Sequence, residues 1–503
     1  MSTTQAPADP RGGQRVVVIG SGFGGLAVAV RLQARGYAVT ILEAGHAPGG
    51  RASQIIEDGF TFDTGPSIVT APELIHDIFA ATGATTDDYV ELMALDPYYR
   101  VYFADGRHYD YSGDAGAVQR EMARFDPAGY RGYQAFMHHS ARIHDRAFAQ
   151  LAHQPFVTRR SFARVLPELA WLRADRPVTS VVADHLTDPA LHAAYSFHPL
   201  FLGGNPFRAS AIYSIIPYLE RLGGVHFVRG GMYQLVRALA RRLTELGGEL
   251  VVDARASQIE VRGGRATGVR TADGRRWPAA AVVSNADVAN TYARLVAPRH
   301  RRRWTDARLA RQTYSMSLFL LYLGLDRTYE KLLHHTIIFG PRYRELLADI
   351  FDRHVLAEDF SLYVHAPTKT DPGMAPPGCE SVYLLSPVPN LASGTDWKSA
   401  ARPYRDRIIR FLEHEFGLEG LGASIRVERM FTPLDFRDRL HSHLGAAFSL
   451  APTLLQSAYF RPHNRSEDVE NLFLVGAGTH PGAGLPGTLL SAEITDRLVA
   501  ASV

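Results

Sequence analysis

From Val16 to Ile19 the chain is wholly apolar, then three glycines follow in G-x-G-x-x-G spacing (Gly20, Gly22, Gly25), then an apolar-rich run that closes at Gly36. A short apolar run, a glycine turn and a longer run predict a strand, a tight turn and a helix. A second apolar strand, AVTILEA, contains Glu43. From about Ala71 to Leu222 the pattern is mainly helical and irregular. At Val225 it changes: a turn at Gly230 and Gly231 precedes a helical run with Leu235, Leu239 and Leu243, a Gly-Gly stop, and a strand from Glu249 that is expected to join the first sheet. A hairpin through Asp273 and Gly274 and a return strand ending at VVSNAD follow. From about Gln312 to Arg461 long strands, long loops and prolines predict a second, mixed sheet. The final stretch, Asn471 to Ala500, reads as strand, glycine-rich turn and helix, returning to the first sheet.

Length and composition narrow this picture. A chain of 503 residues with 46% hydrophobic content exceeds one simple core and suggests two or three domains. Its 54 basic and 51 acidic residues nearly balance, so no nucleic-acid partner is implied. Only Lys331, Lys369 and Lys398 are lysines, which makes Schiff-base chemistry improbable. The single cysteine, Cys379, excludes a disulfide framework, a C-x-x-C redox pair and a thiolate metal cluster, and points to a reducing compartment. The opening MSTTQAPADPRGGQR lacks the apolar core of a secretory signal and reads as a disordered tail. The longest apolar runs, such as MSLFLLYLGL, fall short of the roughly twenty residues of a membrane span.

The glycine turn carries the first chemistry. Gly20 allows the turn, Gly22 lets backbone approach a pyrophosphate, Gly25 lets helix pack on strand, and Glu43 is placed for a ribose hydroxyl. Just beyond lie Gly49, Gly50 and Arg51, bare backbone and a guanidinium beside the same pyrophosphate. That combination reads as FAD. GFTFDTGPS then turns at Gly65 and Pro66, and the C-terminal turn offers Gly476, Gly478 and Gly487 at the start of a helix, again bare amides for a polar ligand. Ala256 completes the set of candidate cofactor-binding residues. The fold expected is α/β: a discontinuous Rossmann-like FAD-binding domain (14–75, 225–290 and 465–503), a helical lid or membrane-facing insert (76–224) and a mixed-sheet substrate-binding domain (291–464).

The strings VVVIGSGFGGLA, PGGRA, GFTFDTGPS, SFHPLFLGGNPF, AEDFSLYVHAP, MFTPLDFRDRL, AYFRPHNR and NLFLVGAGTHPGAGLPG together resemble the bacterial-type phytoene desaturases of carotenoid synthesis, from about Arg15 to the end. The cofactor motifs are shared with amine and protoporphyrinogen oxidases; the central and C-terminal strings are more specific. The resemblance implies FAD as sole cofactor, a C40 polyene dissolved in the membrane as substrate, and stepwise desaturation of phytoene to lycopene. VGAG departs from the wider superfamily, which usually places an acidic residue there for the ribityl chain. A carotenoid isomerase, ketolase or later desaturase, another FAD oxidase, and a flavin-free lipid carrier on the same fold are the alternative readings.

Desaturation removes a hydride, for which a flavin is a suitable acceptor, and a proton. With no second dinucleotide fingerprint and no cysteine pair, the electrons are expected to pass to oxygen or a quinone. The proton acceptor stays open. Arg164, in the helical insert at a family-like position, is the candidate catalytic residue, suited to orienting or stabilising charge but not to acting as a base. Asp63, Glu358 and Asp359 are alternative carboxylates. His138 with His139, His334 with His335, and His441 with His443 lack metal-site spacing, and no metal is expected. The segment from Pro155 to Leu172 mixes aromatic and aliphatic residues with Arg159, Arg160 and Arg164 as an interfacial helix does. A cytoplasmic protein peripherally bound to the membrane surface is therefore expected.

Overall fold

The computed structural model describes residues 13–156, 164, 167 and 171–503; the N-terminal tail and most of the Pro155–Leu172 segment lie outside the described residues. In chain order the strands that frame the site are β1 (Arg15–Ile19), β2 (Ala38–Leu42), β3 (Tyr99–Tyr102), β4 (His108–Tyr111), β5 (Glu249–Val251), β6 (Ala281–Ser284), β7 (Ser317–Leu325), β8 (His335–Ile338), β9 (Leu362–His365), β10 (Glu380–Val388), β11 (Ile425–Phe431) and β12 (Leu472–Leu474). Three helices matter as much: α1 (Phe23–Ala34), α2 (Tyr233–Glu245) and α3 (Leu485–Ala500).

Five strands form a parallel sheet in the order β12-β6-β1-β2-β5. They come from three separate stretches of chain, and the strand after the Gly-Gly stop adds beside β2 as expected. Parallel strands buried on both faces must be apolar throughout, and Val16 to Ile19 are each at most 5% exposed. Helix α1 packs on this sheet along nearly its whole length, which its weak amphipathicity reflects: Phe23 to Val30 are all buried.

The second sheet has seven strands, ordered β11-β7-β10-β9-β8-β3-β4, antiparallel except where β8 runs parallel to β3. Its long strand β7 is SLFLLYLGL, the chain's most continuous apolar run, and it is buried on both faces. Phe319, Leu321 and Leu323 pack toward Trp397, Tyr404 and Ile408 of a covering helix, while Leu318 and Leu320 face the other way into the largest core cluster. Strands β3 and β4 lie in the segment expected to be mainly helical. They alternate buried and half-buried positions (Tyr99 and Val101 against Tyr109 and Tyr111), but four residues each leave the pattern too short to stand out among helices.

Candidate functional site

The glycine turn is built by what its neighbours exclude. Gly20 sits at φ +89°, in the left-handed region, and a Cβ on Gly25 would lie 2.0 Å from the Gly20 carbonyl oxygen. Any side chain there forces helix and strand apart. Helix α1 begins at Gly22 with no side-chain cap and no acid in its first turn, leaving its amides and dipole open to an anion. Helix α3 repeats the device: it starts after Gly484 with no side-chain cap and no acid in its first turn. Helix α2 does not, because Asp63 accepts hydrogen bonds from the amides of Met232 (2.8 Å) and Tyr233 (3.3 Å). Burial pushes the Asp63 carboxyl up to about 7 against those two bonds. Asp63 is thus a helix cap rather than a group facing the cavity.

Glu43 follows directly on β2, the second strand, as expected. Its Oε2 accepts from the backbone N–H (2.8 Å) and hydroxyl (2.5 Å) of Ser21, and its Oε1 from the Gly45 N–H (2.8 Å), so the carboxylate is fixed beside the glycine turn. Arg51 donates to Ser442 Oγ (2.7 Å), while its buried Nε has no hydrogen-bond partner. Burial presses its guanidinium below the ordinary range and Asp287 draws it back. An unpartnered buried guanidinium nitrogen in the segment that packs on the uncapped start of α1 fits an anionic ligand group.

The glycine turn, Glu43 and Arg51 open into one cavity of about 1270 Å³, larger than a typical small-molecule pocket. One end is lined by Gly20, Gly22, Glu43, Gly49, Gly50 and Arg51, with Gly65, Pro66, Ala256, Gly476 and Gly487 also on its wall. The other end is apolar and belongs largely to the seven-stranded sheet: Leu318, Leu320, Ile337, Phe339 and Leu385, with Phe197 and Phe201 from the SFHPLFLGG string. Gly25 and Gly478 lie behind the wall; a Cβ on Gly478 would sit 2.8 Å from Val288.

Sequence reasoning missed Asn285. It follows β6 in VVSNAD, and its side chain lies where a Cβ on Gly22, Gly24 or Gly476 would collide, at 2.9, 2.6 and 2.7 Å. One amide therefore explains three glycines, including one, Gly476, in the C-terminal motif 191 residues downstream. Arg164 is exposed at a turn and is not among the described residues that line the cavity. Phe156 is buried and lines the cavity beside His480, and Trp171 is 58% exposed. Asp359 pairs with Arg342, and His441 lines the cavity near the glycine turn. The fold also gathers His334, His335 and His365, all buried, with one nitrogen of each within 4.8 Å of the others.

A parallel sheet with a glycine-turn dinucleotide site and two uncapped helix starts, opening into an apolar chamber, is the arrangement of a dinucleotide-dependent oxidoreductase with room for a bulky apolar molecule. The family model described as flavin containing amine oxidoreductase matches residues 23–496. The lycopene-forming phytoene desaturase of Pseudescherichia vulneris is 45% identical over 97% of this chain and 99% of its own. The neurosporene-forming phytoene desaturase of Rhodobacter capsulatus is 44% identical over 96% of this chain and 94% of its own. Among solved structures, putrescine oxidase bound to putrescine superimposes with a TM-score of 0.65 at 15% identity, covering 97% of this chain and 99% of that one. The chain belongs to the flavin-containing amine oxidoreductases and, within them, to the bacterial phytoene desaturase family. Its cofactor is FAD.

Proposed function

We propose that this protein desaturates phytoene stepwise to lycopene. The observation that carries the reading is the single cavity that joins the dinucleotide end to an apolar chamber walled by the seven-stranded sheet. An amine or porphyrinogen substrate needs polar partners along its length. The face of β7, β8 and β10 here offers Leu318, Leu320, Ile337 and Leu385 instead.

Glu43 would hold the adenosine ribose, the α1 start with Gly22 the pyrophosphate, and Arg51, Gly49 and Gly50 its other side, with Gly65, Pro66 and the α3 start near the flavin end. When bound, the flavin supplies a hydride acceptor. The chain's own part is to lay the polyene along the sheet face and to exclude water through Phe197, Phe201 and Phe339. It must also give the departing proton a destination. Electrons would leave to oxygen or a quinone.

A C40 hydrocarbon must be drawn from a bilayer, and the cavity rim suits that task. Leu454 and Phe460 line it at 44% and 40% exposure, and neighbouring Leu455 is 73% exposed. No helix among the described residues is long and apolar enough to cross a membrane, so contact would be peripheral. The three pieces 14–75, 225–290 and 465–503 would then act as the FAD-binding unit, 291–464 as the substrate wall and 76–224 as the cover.

The test is pigment extraction from a phytoene-accumulating host expressing this chain. Coloured product with lengthened conjugation is expected, with lycopene as the end point. Colourless extracts from cells that contain folded, FAD-loaded protein would remove phytoene as the substrate.

A further inference from the structure

A polar track leaves the apolar end of the cavity through the seven-stranded sheet. Tyr363, on β9, lines the cavity, and its hydroxyl lies 2.6 Å from Ser67 Oγ and 2.8 Å from His335 Nδ1. Ser67 follows the Gly65-Pro66 turn at the cofactor end, so this hydroxyl stands at the border between the two halves of the chamber. Behind it, His335 on β8 and His365 on β9 are direct cross-strand partners with stacked rings 5.2 Å apart. His334 Nε2 lies 3.1 Å from His365 Nε2, and His334 Nδ1 lies 2.6 Å from the hydroxyl of Thr370, which is half-buried in the turn beyond the end of β9.

Packing alone does not ask for this arrangement. His335 and His365 are 0% and 1% exposed, among Tyr99, Phe227 and Tyr383. His335 Nε2 and His365 Nδ1 have no hydrogen-bond partner, a desolvation cost that aromatic residues of similar size would avoid. Burial holds all three imidazoles neutral, His334 down to about 3 and the others well below their ordinary range. With Nδ1 of a neutral His335 as acceptor, Tyr363 donates to it and Ser67 donates to Tyr363.

We propose that Tyr363 Oη takes the proton the hydrocarbon loses in each desaturation and passes its own to His335, from which His365 and His334 carry it to Thr370 at the surface. The proposal rests on the desaturase reading above. Two adjacent C–H bonds break and one C=C bond forms. One hydrogen leaves as hydride with its bonding pair and reduces the flavin. The resulting allylic cation loses a proton from the next carbon, whose bonding electrons become the new π bond. That proton bonds to Tyr363 Oη as the tyrosine's own proton moves to His335 Nδ1, so Tyr363 stays neutral and His335 becomes an imidazolium. A C–H beside a carbocation is acidic enough for a phenol oxygen to suffice. An imidazole that resists protonation then releases the proton outward, across gaps within 4.8 Å that one water or a ring rotation closes.

The experiment compares FAD-loaded native protein with Tyr363→Phe and His335→Gln, mixing each anaerobically with phytoene in liposomes and following net bleaching of the flavin band, which accumulates only when proton loss traps the allylic cation before the hydride returns to it. Both variants should stay folded and retain FAD, with a lowered unfolding midpoint from the unpaired buried groups, yet bleach about 10²- to 10⁴-fold more slowly. Slowing in D₂O should be present in the native protein and absent in Tyr363→Phe. Independently of turnover, ¹⁵N-histidine NMR of the FAD-free chain should show the hydrogen-bonded Nδ1 signal of His335 and its loss in Tyr363→Phe. If Tyr363→Phe does not fold, His335→Gln and the native D₂O measurement decide the matter. Equal bleaching rates in native and variant proteins, or an absent D₂O effect in the native protein, overturn the relay alone. Native flavin that phytoene fails to bleach overturns the substrate reading instead.

Discussion

Replacing Glu43 by Gln keeps the side chain's shape and removes its charge. The carboxylate now satisfies three donors at once: the N–H and hydroxyl of Ser21 on one oxygen and the Gly45 N–H on the other. A carboxamide has one acceptor oxygen, so whichever way it turns, its NH₂ group faces a backbone N–H that has lost its acceptor. That unpaired amide costs about 1–3 kcal/mol, and the charge-assisted bond the carboxylate would make to a ribose hydroxyl contributes a further 1.5–3 kcal/mol or so. If only the second term reaches the cofactor, FAD binds roughly 10- to 150-fold more weakly. The measurement is quenching of flavin fluorescence on titrating apoprotein with FAD, beside the unfolding midpoint of the apoprotein, which reports the first term separately. Glu43→Asp, which keeps the charge on a shorter arm, should fall between. Binding by Glu43→Gln within threefold of the native protein, with an unchanged midpoint, would refute the assignment of Glu43 to the ribose and the reading of the turn as a nucleotide site.

Gly25→Ala places a methyl 2.0 Å from the Gly20 carbonyl oxygen, so α1 must shift by more than an ångström; loss of FAD from the purified protein is expected, read as the ratio of flavin to protein absorbance. Gly36→Ala is its control for FAD retention, because the Gly36 Cβ would meet nothing within 4 Å, although φ +94° makes some loss of stability expected there. The buried histidines predict acid lability. His334 falls from 6.5 to about 3 on folding, so it is neutral in the folded chain while the unfolded chain takes up a proton. Its contribution is complete above pH 6.5 and is lost as pH falls toward 3, reaching about 2 kcal/mol at pH 5. Urea unfolding at pH 7.5 and pH 5 should show a smaller difference for His334→Asn than for the native protein; equal differences would refute the burial argument. Leu455→Asp, at the exposed rim, should weaken liposome binding while leaving FAD content unchanged, as measured by co-sedimentation.

The cofactor end was legible because each of its parts is local. A turn, an uncapped helix start and a carboxylate at the end of the next strand are written within thirty residues, and the structure sets Glu43 beside Ser21 as that spacing implies. The chamber was not legible in the same way. Its wall is one face of a sheet whose strands come from Tyr99 to Phe431, and β7 reads only as an apolar run because both of its faces are buried. His334 and His335 stood out as a pair, but His365 lies thirty residues on, and only the β8–β9 register brings it opposite His335. Asn285 failed to stand out for the same reason, since the three glycines that make room for it sit in two distant motifs. The strands β3 and β4 carried the right alternation in the wrong surroundings.

We expect the extent of desaturation to be set at that wall rather than at the flavin. Relatives that form lycopene and relatives that form neurosporene stand at 45% and 44% identity to this chain, so overall likeness does not separate the two outcomes. The FAD site cannot separate them either, because every round repeats one chemistry on one cofactor. What differs between rounds is the stiffness of the hydrocarbon, since each new double bond lengthens the rigid conjugated part that must slide past the flavin into the apolar end. The side chains placed to meet that rigid end are those the sheet turns into the cavity: Leu318 and Leu320 on β7, Ile337 and Phe339 at β8, and Leu385 on β10. A close-packed wall of this kind is felt at the level of single methylenes. A volume change at any of these five positions therefore bears on the last round before it bears on the first.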